Sequence, residues 1–176
     1  MDEKIVVPLD GSKIGEAALP YVEDLMSKLS PEVKVEVVLL QVLSASPHPV
    51  TAGEAAVQVP YTAEEMKQHR EKAIKYLNEV GEALRSKGAT VTAKVAVGFP
   101  PEEIVRTAEE INANLIAIST HGLSGSSGWA FGGITDKVTR RATRIPITIV
   151  KAPDYRRYLP RGDTSAATLK AIESTK

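Results

Sequence analysis

The feature that most constrains this chain is an alternation of short apolar, β-branched runs with longer segments of helical periodicity. Residues 4–9, KIVVPL, form one such run, closed by Asp10-Gly11-Ser12, and read as a buried strand followed by a turn. Ser12 is placed to cap a helix over 13–29. Val35–Leu43 is a second strand, too continuously apolar for a sheet wetted on one side and so expected to be covered on both faces. Residues 44–61, rich in Ser, Pro and Ala, read as a loop. Thr62 and Glu65 then stand in capping-box spacing, and Met66, Ala73, Leu77, Val80 and Leu84 recur every three or four residues along a long helix ending at Gly88. Residues 90–97 alternate as a third strand, Pro100-Pro101-Glu102-Glu103 open a helix with prolines and acids at its positive end, and Leu115–Ser119 form a fourth strand. Behind a glycine-rich stretch, Ile134, Val138 and Ala142 mark a further helix and Ile145–Lys151 a fifth strand. The order βαβαβαβαβ predicts an α/β fold, a five-stranded parallel sheet with helices on both faces. Ligands are then expected at the carboxyl ends of the strands, where the strand order reverses.

The totals agree with one domain and narrow the function. At 176 residues the chain is long enough for a single substantial core. Its 22 basic and 22 acidic residues balance, which argues against tracking a nucleic-acid backbone. The absence of cysteine removes disulfides, thiolate chemistry and cysteine-held metals. The N-terminal MDEKIVVPLDGS lacks a signal-peptide core and no run approaches membrane-spanning length, so no membrane association and a cytoplasmic address are expected. After residue 151 the pattern turns polar, and residues 152–176 read as an appended tail to a domain of 1–151.

Chemistry concentrates after the fourth strand. Gly122, Gly125, Gly128, Gly132 and Gly133 lie between a strand and a helix, where backbone amides can converge on an anion; a glycine cluster can equally be a surface loop. Neither G-x-x-x-x-G-K-[ST] nor G-x-G-x-x-G occurs, which removes the main support for a P-loop or an ordinary dinucleotide fold. Asp10 is suited to two ligand hydroxyls, or is simply a turn residue. His121 has no nucleophile fixed beside it, and His48 and His69 show no ligand spacing, so neither a catalytic residue nor a metal site is predicted from them. Lys137, Arg140, Arg141 and Arg144 form a basic helix segment, read as a solvated or dimer-facing surface or as an aid to phosphate binding; Trp129 and Phe131 are expected to pack the loop or a partner subunit.

The segments Ile118-Ser119-Thr120-His121-Gly122, Gly132-Gly133-Ile134-Thr135-Asp136-Lys137-Val138 and Ile145–Val150 together resemble the C-terminal signature of universal stress proteins. Residues 5–12, IVVPLDGS, and 97–104, VGFPPEEI, are similar to the same family, so the resemblance spans residues 4 to 151. In its nucleotide-binding members the signature is glycine, two residues, glycine, nine residues, glycine, then serine or threonine. Gly122 and Gly132 match the second and third glycines; Ser119 replaces the first, and Gly133 replaces the hydroxyl residue that bonds phosphate. Losing one neutral hydrogen bond costs on the order of 1 kcal/mol and implies weaker binding, not none. Thr135, Ser124, Ser126 and Ser127 are candidates to compensate.

The resemblance implies a strand order of 3-2-1-4-5, an adenine-nucleotide site and no fast catalysis. It places adenine over the backbone of Val42 and the ribose hydroxyls at Asp10, with Pro8, Leu9 and Gly98 shaping the pocket. Ser119, His121, Gly122, Gly132, Gly133, Ile134 and Thr135 take the phosphate side. The implied ligand is ATP, ADP or AMP; apart from the resemblance, Asp136 is suited to join a Mg2+ shell through water, since magnesium on nucleotides takes few protein ligands. A homodimer through the last strand is expected, since an apolar edge strand invites a partner. A nucleotide-free dimeric module is the alternative, favoured by Gly133. An adenylating ATP pyrophosphatase would show S-G-G-x-D-S after the first strand, where this chain has Leu9-Asp10-Gly11-Ser12-Lys13.

Overall fold

The computed structural model describes residues 2–44, 48–52, 55–120 and 133–151. Its main sheet holds β1 (Asp2–Pro8), β2 (Lys34–Leu43), β5 (Thr90–Val97), β6 (Leu115–Thr120) and β7 (Ile147–Lys151) in the order β5-β2-β1-β6-β7, all parallel. Counting only these strands, the order is the expected 3-2-1-4-5. The reversal of winding falls between β1 and β6, which opens a crevice at their carboxyl ends.

The central strands β1, β2 and β6 are buried on both faces, as their apolar runs demanded. One face sets Ile5, Val7, Val37 and Leu39 against Val22 of α1 (Ala18–Lys28) and Leu77 and Leu84 of α2 (Ala63–Ser86). The other sets Val6, Val38, Leu40, Ile116 and Ile118 against Ile104, Val105 and Ala108 of α3 (Pro100–Glu110) and Val138 of α4 (Gly133–Arg141). No helix among the described residues is long and apolar enough to cross a membrane.

The helix signals act locally as their chemistry requires. Thr62 Oγ1 accepts from the Glu65 amide at 3.2 Å, and Glu65 Oε2 accepts from the Thr62 amide at 2.8 Å, closing the capping box. At the other end Gly88, at φ 94°, lets its amide reach the Arg85 carbonyl and the Ala89 amide reach the Leu84 carbonyl, a left-handed stop two residues beyond Ser86. Pro100 and Pro101 occupy the first turn of α3, where a missing N–H costs nothing.

Three boundaries differ from the sequence expectation. Residues 13–29 are not one helix: a 3-10 turn, Gly15–Ala17, precedes α1, and Ser12 Oγ accepts from the Gly15 amide at 3.0 Å, so the cap acts on the turn. The 44–61 segment is not simply a loop, since β3 (His48–Ala52) and β4 (Ala55–Val59) pair antiparallel as a separate two-stranded sheet. Two short runs separated by Gly53-Glu54 carry the spacing of a tight hairpin, which the Ser, Pro and Ala content obscured. The last strand starts at Ile147 because Pro146 has no N–H to donate, although its carbonyl still accepts from Ile116 at 2.9 Å.

Candidate functional site

The crevice at the β1/β6 reversal is a cleft of about 270 Å3, near the small end of the range for ligand sites. Its floor is the end of β1, Pro8 and Leu9, beside Leu40, Gln41 and Val42 of β2 and Ile118 and Ser119 of β6. Its walls are Asp10 and Gly15 on one side, Pro100 and Ile104 of α3 on another, and Gly133, Ile134 and Thr135 at the start of α4. Leu9, Ile104 and Ile118 are buried, whereas Ile134 is 47% exposed and offers apolar surface at the rim. The cleft thus joins an apolar slot to a carboxylate and a helix start. That combination suits a flat ring carrying a hydroxylated, anionic appendage.

Asp10 is held by the turn that follows β1. Its Oδ1 accepts from the Ser12 amide at 3.0 Å and from the Ser12 hydroxyl at 2.7 Å. Gly15 makes this possible, because a Cβ there would collide with Asp10 Oδ1. Ser119 Oγ donates to the Gly15 carbonyl at 2.8 Å, tying the end of β6 to the same turn. Thr135, buried, donates its hydroxyl to the Ser119 carbonyl at 3.4 Å and so anchors the first turn of α4 to β6. The hydroxyl protons of Ser119 and Thr135 are therefore directed at backbone carbonyls of this turn and strand.

The second layer behind Asp10 carries a further acid. Glu16 receives Lys13 at 3.0 Å and the Tyr76 hydroxyl, from α2, at 3.3 Å. Burial first, then the Glu16 carboxylate and more weakly Asp10, pushes the Tyr76 phenol above its ordinary range, so it stays a neutral donor. Between α4 and the start of α3, Lys137 Nζ stands 5.2 Å from the Phe99 ring centre and the Arg141 guanidinium 5.9 Å from it, and Arg141 also meets Glu102 at 3.3 Å. Arg140 pairs with Asp136 at 2.9 Å, which occupies the carboxylate considered for Mg2+. The basic segment thus packs partly on the start of α3. No cluster of three or more His, Cys, Asp or Glu is arranged for a metal among the described residues.

Of the twelve residues predicted for the site, the cleft brings together Pro8, Leu9, Asp10, Val42, Ser119, Gly133, Ile134 and Thr135. His121, Gly122 and Gly132, with Ser124, Ser126, Ser127, Trp129 and Phe131, lie outside the described residues. Gly98 does not line the cleft: at φ 156° it ends β5, and a Cβ there would come 3.0 Å from Glu103 Oε1. Sequence reasoning did not place Gly15, Leu40, Gln41, Pro100, Ile104 or Ile118 in the site. Pro100 reads in the sequence as a helix-opening proline and Ile104 only as part of the stretch similar to the family, while Gln41, the polar residue in the run VVLLQVL, is the legible anomaly.

The comparisons with known proteins agree with this fold. The family model described as the universal stress protein family matches residues 1–151. Universal stress protein MJ0531 of Methanocaldococcus jannaschii is 27% identical over 151 residues, covering 86% of this chain and 83% of its own length. MJ0577 of the same organism is 28% identical over 160 residues, covering 86% of this chain and 96% of its own. The MJ0577 structure superposes with a TM-score of 0.64 at 24% identity over 86% of this chain and 97% of that one. A universal stress protein solved in complex with cAMP superposes with a TM-score of 0.57 at 20% identity, over 85% and 97% of the two chains. A five-stranded parallel sheet in this order, a cleft at its reversal point and a family match across 151 residues lead to one conclusion: the chain belongs to the universal stress protein family.

Proposed function

We propose that this protein binds an adenine nucleotide, ATP in the first place, in the cleft between β1, β2, β6 and the start of α4. The observation that carries the reading is the pairing, in one cleft, of an apolar slot formed by Leu9, Val42, Ile104 and Ile118 with the oriented carboxylate of Asp10 and the α4 start at Gly133. The slot takes the base, with the Val42 backbone at its edge, Asp10 takes ribose hydroxyls, and the phosphates run toward Gly133–Thr135 and the glycine-rich residues before them. A related structure holding cAMP supports the ligand class. Mg2+ would ride on the phosphates, where magnesium keeps most of its water and needs few protein ligands.

Binding then acts as a switch: the nucleotide shifts the population of a conformation or complex, and the chain is read as a binding protein and not as an enzyme. Its setting is the cytoplasm, and its assembly a homodimer through β7, whose outer edge pairs with no other strand among the described residues. The domain is residues 1–151, with 152–176 appended. A specific observation favours a second reading, a nucleotide-free dimeric module: the hydroxyls of Ser119 and Thr135 already serve backbone carbonyls, and residue 133 is a glycine. Thermal unfolding with and without nucleotide separates the two. The nucleotide reading predicts that ATP and AMP raise the melting temperature in a saturable way and that GTP does so less. A melting temperature unmoved by millimolar ATP leaves the second reading.

A further inference from the structure

Gln41 stands out on β2 as a polar residue in an otherwise apolar run, and its side-chain carboxamide does not form a hydrogen bond with any of the described residues. Its Oε1 is buried, a placement that proteins seldom tolerate without a partner. Gln41 lines the cleft, and its Nε2 lies 3.6 Å from where a Cβ on Gly11 would sit, so the side chain reaches the turn immediately after Asp10. The same turn carries the Asp10 carboxylate oxygen that Ser12 orients.

We propose that the Gln41 carboxamide reads a sugar hydroxyl of the bound nucleotide, working beside Asp10. This rests on the nucleotide reading and adds to it a residue that sets sugar specificity. The chemistry favours a hydroxyl over the base. A carboxamide offers a donor and an acceptor that exchange places by a half-turn of its end group, and a hydroxyl, which both donates and accepts, satisfies it either way. Asp10 in its ionised form only accepts, so a hydroxyl that donates to Asp10 retains lone pairs for a Gln41 N–H. The neighbouring ligand hydroxyl donates to Gln41 Oε1 when the carboxamide is turned the other way. The unpaired buried group is then explained as one whose partner arrives with the ligand, at some expense to the stability of the unliganded chain.

The test is calorimetric titration of the full chain, wild type and Gln41→Leu, with ATP, 2′-deoxy-ATP and 3′-deoxy-ATP, alongside thermal unfolding without nucleotide. Gln41→Leu is expected to weaken ATP about tenfold, the loss that follows from stranding one buried hydrogen-bonding group. That deficit is expected to vanish with one of the two deoxy nucleotides, each of which weakens the wild type, and the unliganded variant is expected to melt no lower than the wild type. Should the leucine variant not fold, Gln41→Met keeps the chain length and serves the same comparison. Unchanged ATP affinity in the variant, or a deficit of equal size with all three nucleotides, overturns the assignment while leaving the cleft as the nucleotide site. Failure of the wild type to bind ATP overturns both.

Discussion

Asp10 and Gly15 together set the geometry of the cleft. From its place after a buried strand Asp10 reads equally as a turn residue; the family resemblance points to it as a ligand residue, and it lines the cleft at the carboxyl end of β1. Gly15 was not legible, because the need for glycine there comes from Asp10 folding back over the next turn, a contact between residues that no spacing rule predicts. Gly15→Ala is expected to push Asp10 aside, costing about 1–3 kcal/mol as overpacking does, with weaker ATP binding. Urea unfolding and titration check the two effects. Ser119→Ala is expected to cost less, about 1 kcal/mol, since it removes one hydrogen bond to the Gly15 carbonyl and no charge. Tyr76 adds a pH effect. Its folded pKa lies above the value of an unfolded tyrosine, so its contribution to stability is full below about pH 10 and declines as the pH rises beyond that, where the unfolded chain ionises first. Tyr76→Phe is expected to flatten part of that alkaline decline in urea-unfolding measurements made from neutral to alkaline pH.

Among the elements, α2 was the easiest to read and the β3–β4 hairpin the hardest. The capping box at Thr62 and Glu65 and the apolar stripe through Ala73, Leu77 and Leu84 specify α2 from within its own sequence. Thr62→Ala is expected to destabilise the fold by about 1 kcal/mol, checked by urea unfolding. The hairpin depends on pairing between two five-residue segments whose composition resembles a loop. A two-stranded sheet set apart from the main sheet has marginal stability on its own. Hydrogen exchange by mass spectrometry is therefore expected to find amides 48–52 and 55–59 exchanging much faster than those of β1 and β2, which lie in the sheet interior. Protection in the hairpin equal to that of the central strands would show that it is buried against something further.

For the molecule as a whole, alternation of buried runs with amphipathic helices was enough to predict the sheet, because parallel strands must be covered on both faces and joined by crossovers. The strand order came from the family resemblance, and the structure reproduces it. Leu9, Asp10, Val42 and Ser119 were legible as cleft residues through the family resemblance, whereas Ile104, a wall supplied by a helix from elsewhere in the chain, was not. At this scale the account also predicts self-association: sedimentation velocity at micromolar concentration is expected to show a dimer, and a monomer alone would contradict pairing through β7.

The central claim is that an adenine nucleotide occupies this cleft, and calorimetric titration of nucleotide-stripped protein with Mg-ATP, wild type against Asp10→Ala, tests it most directly. The account predicts saturable binding by the wild type and at least a tenfold loss in the variant, from a charge-assisted hydrogen bond worth about 1.5–3 kcal/mol. No heat of binding by the wild type at millimolar ATP, or equal affinity in the two proteins, would contradict it.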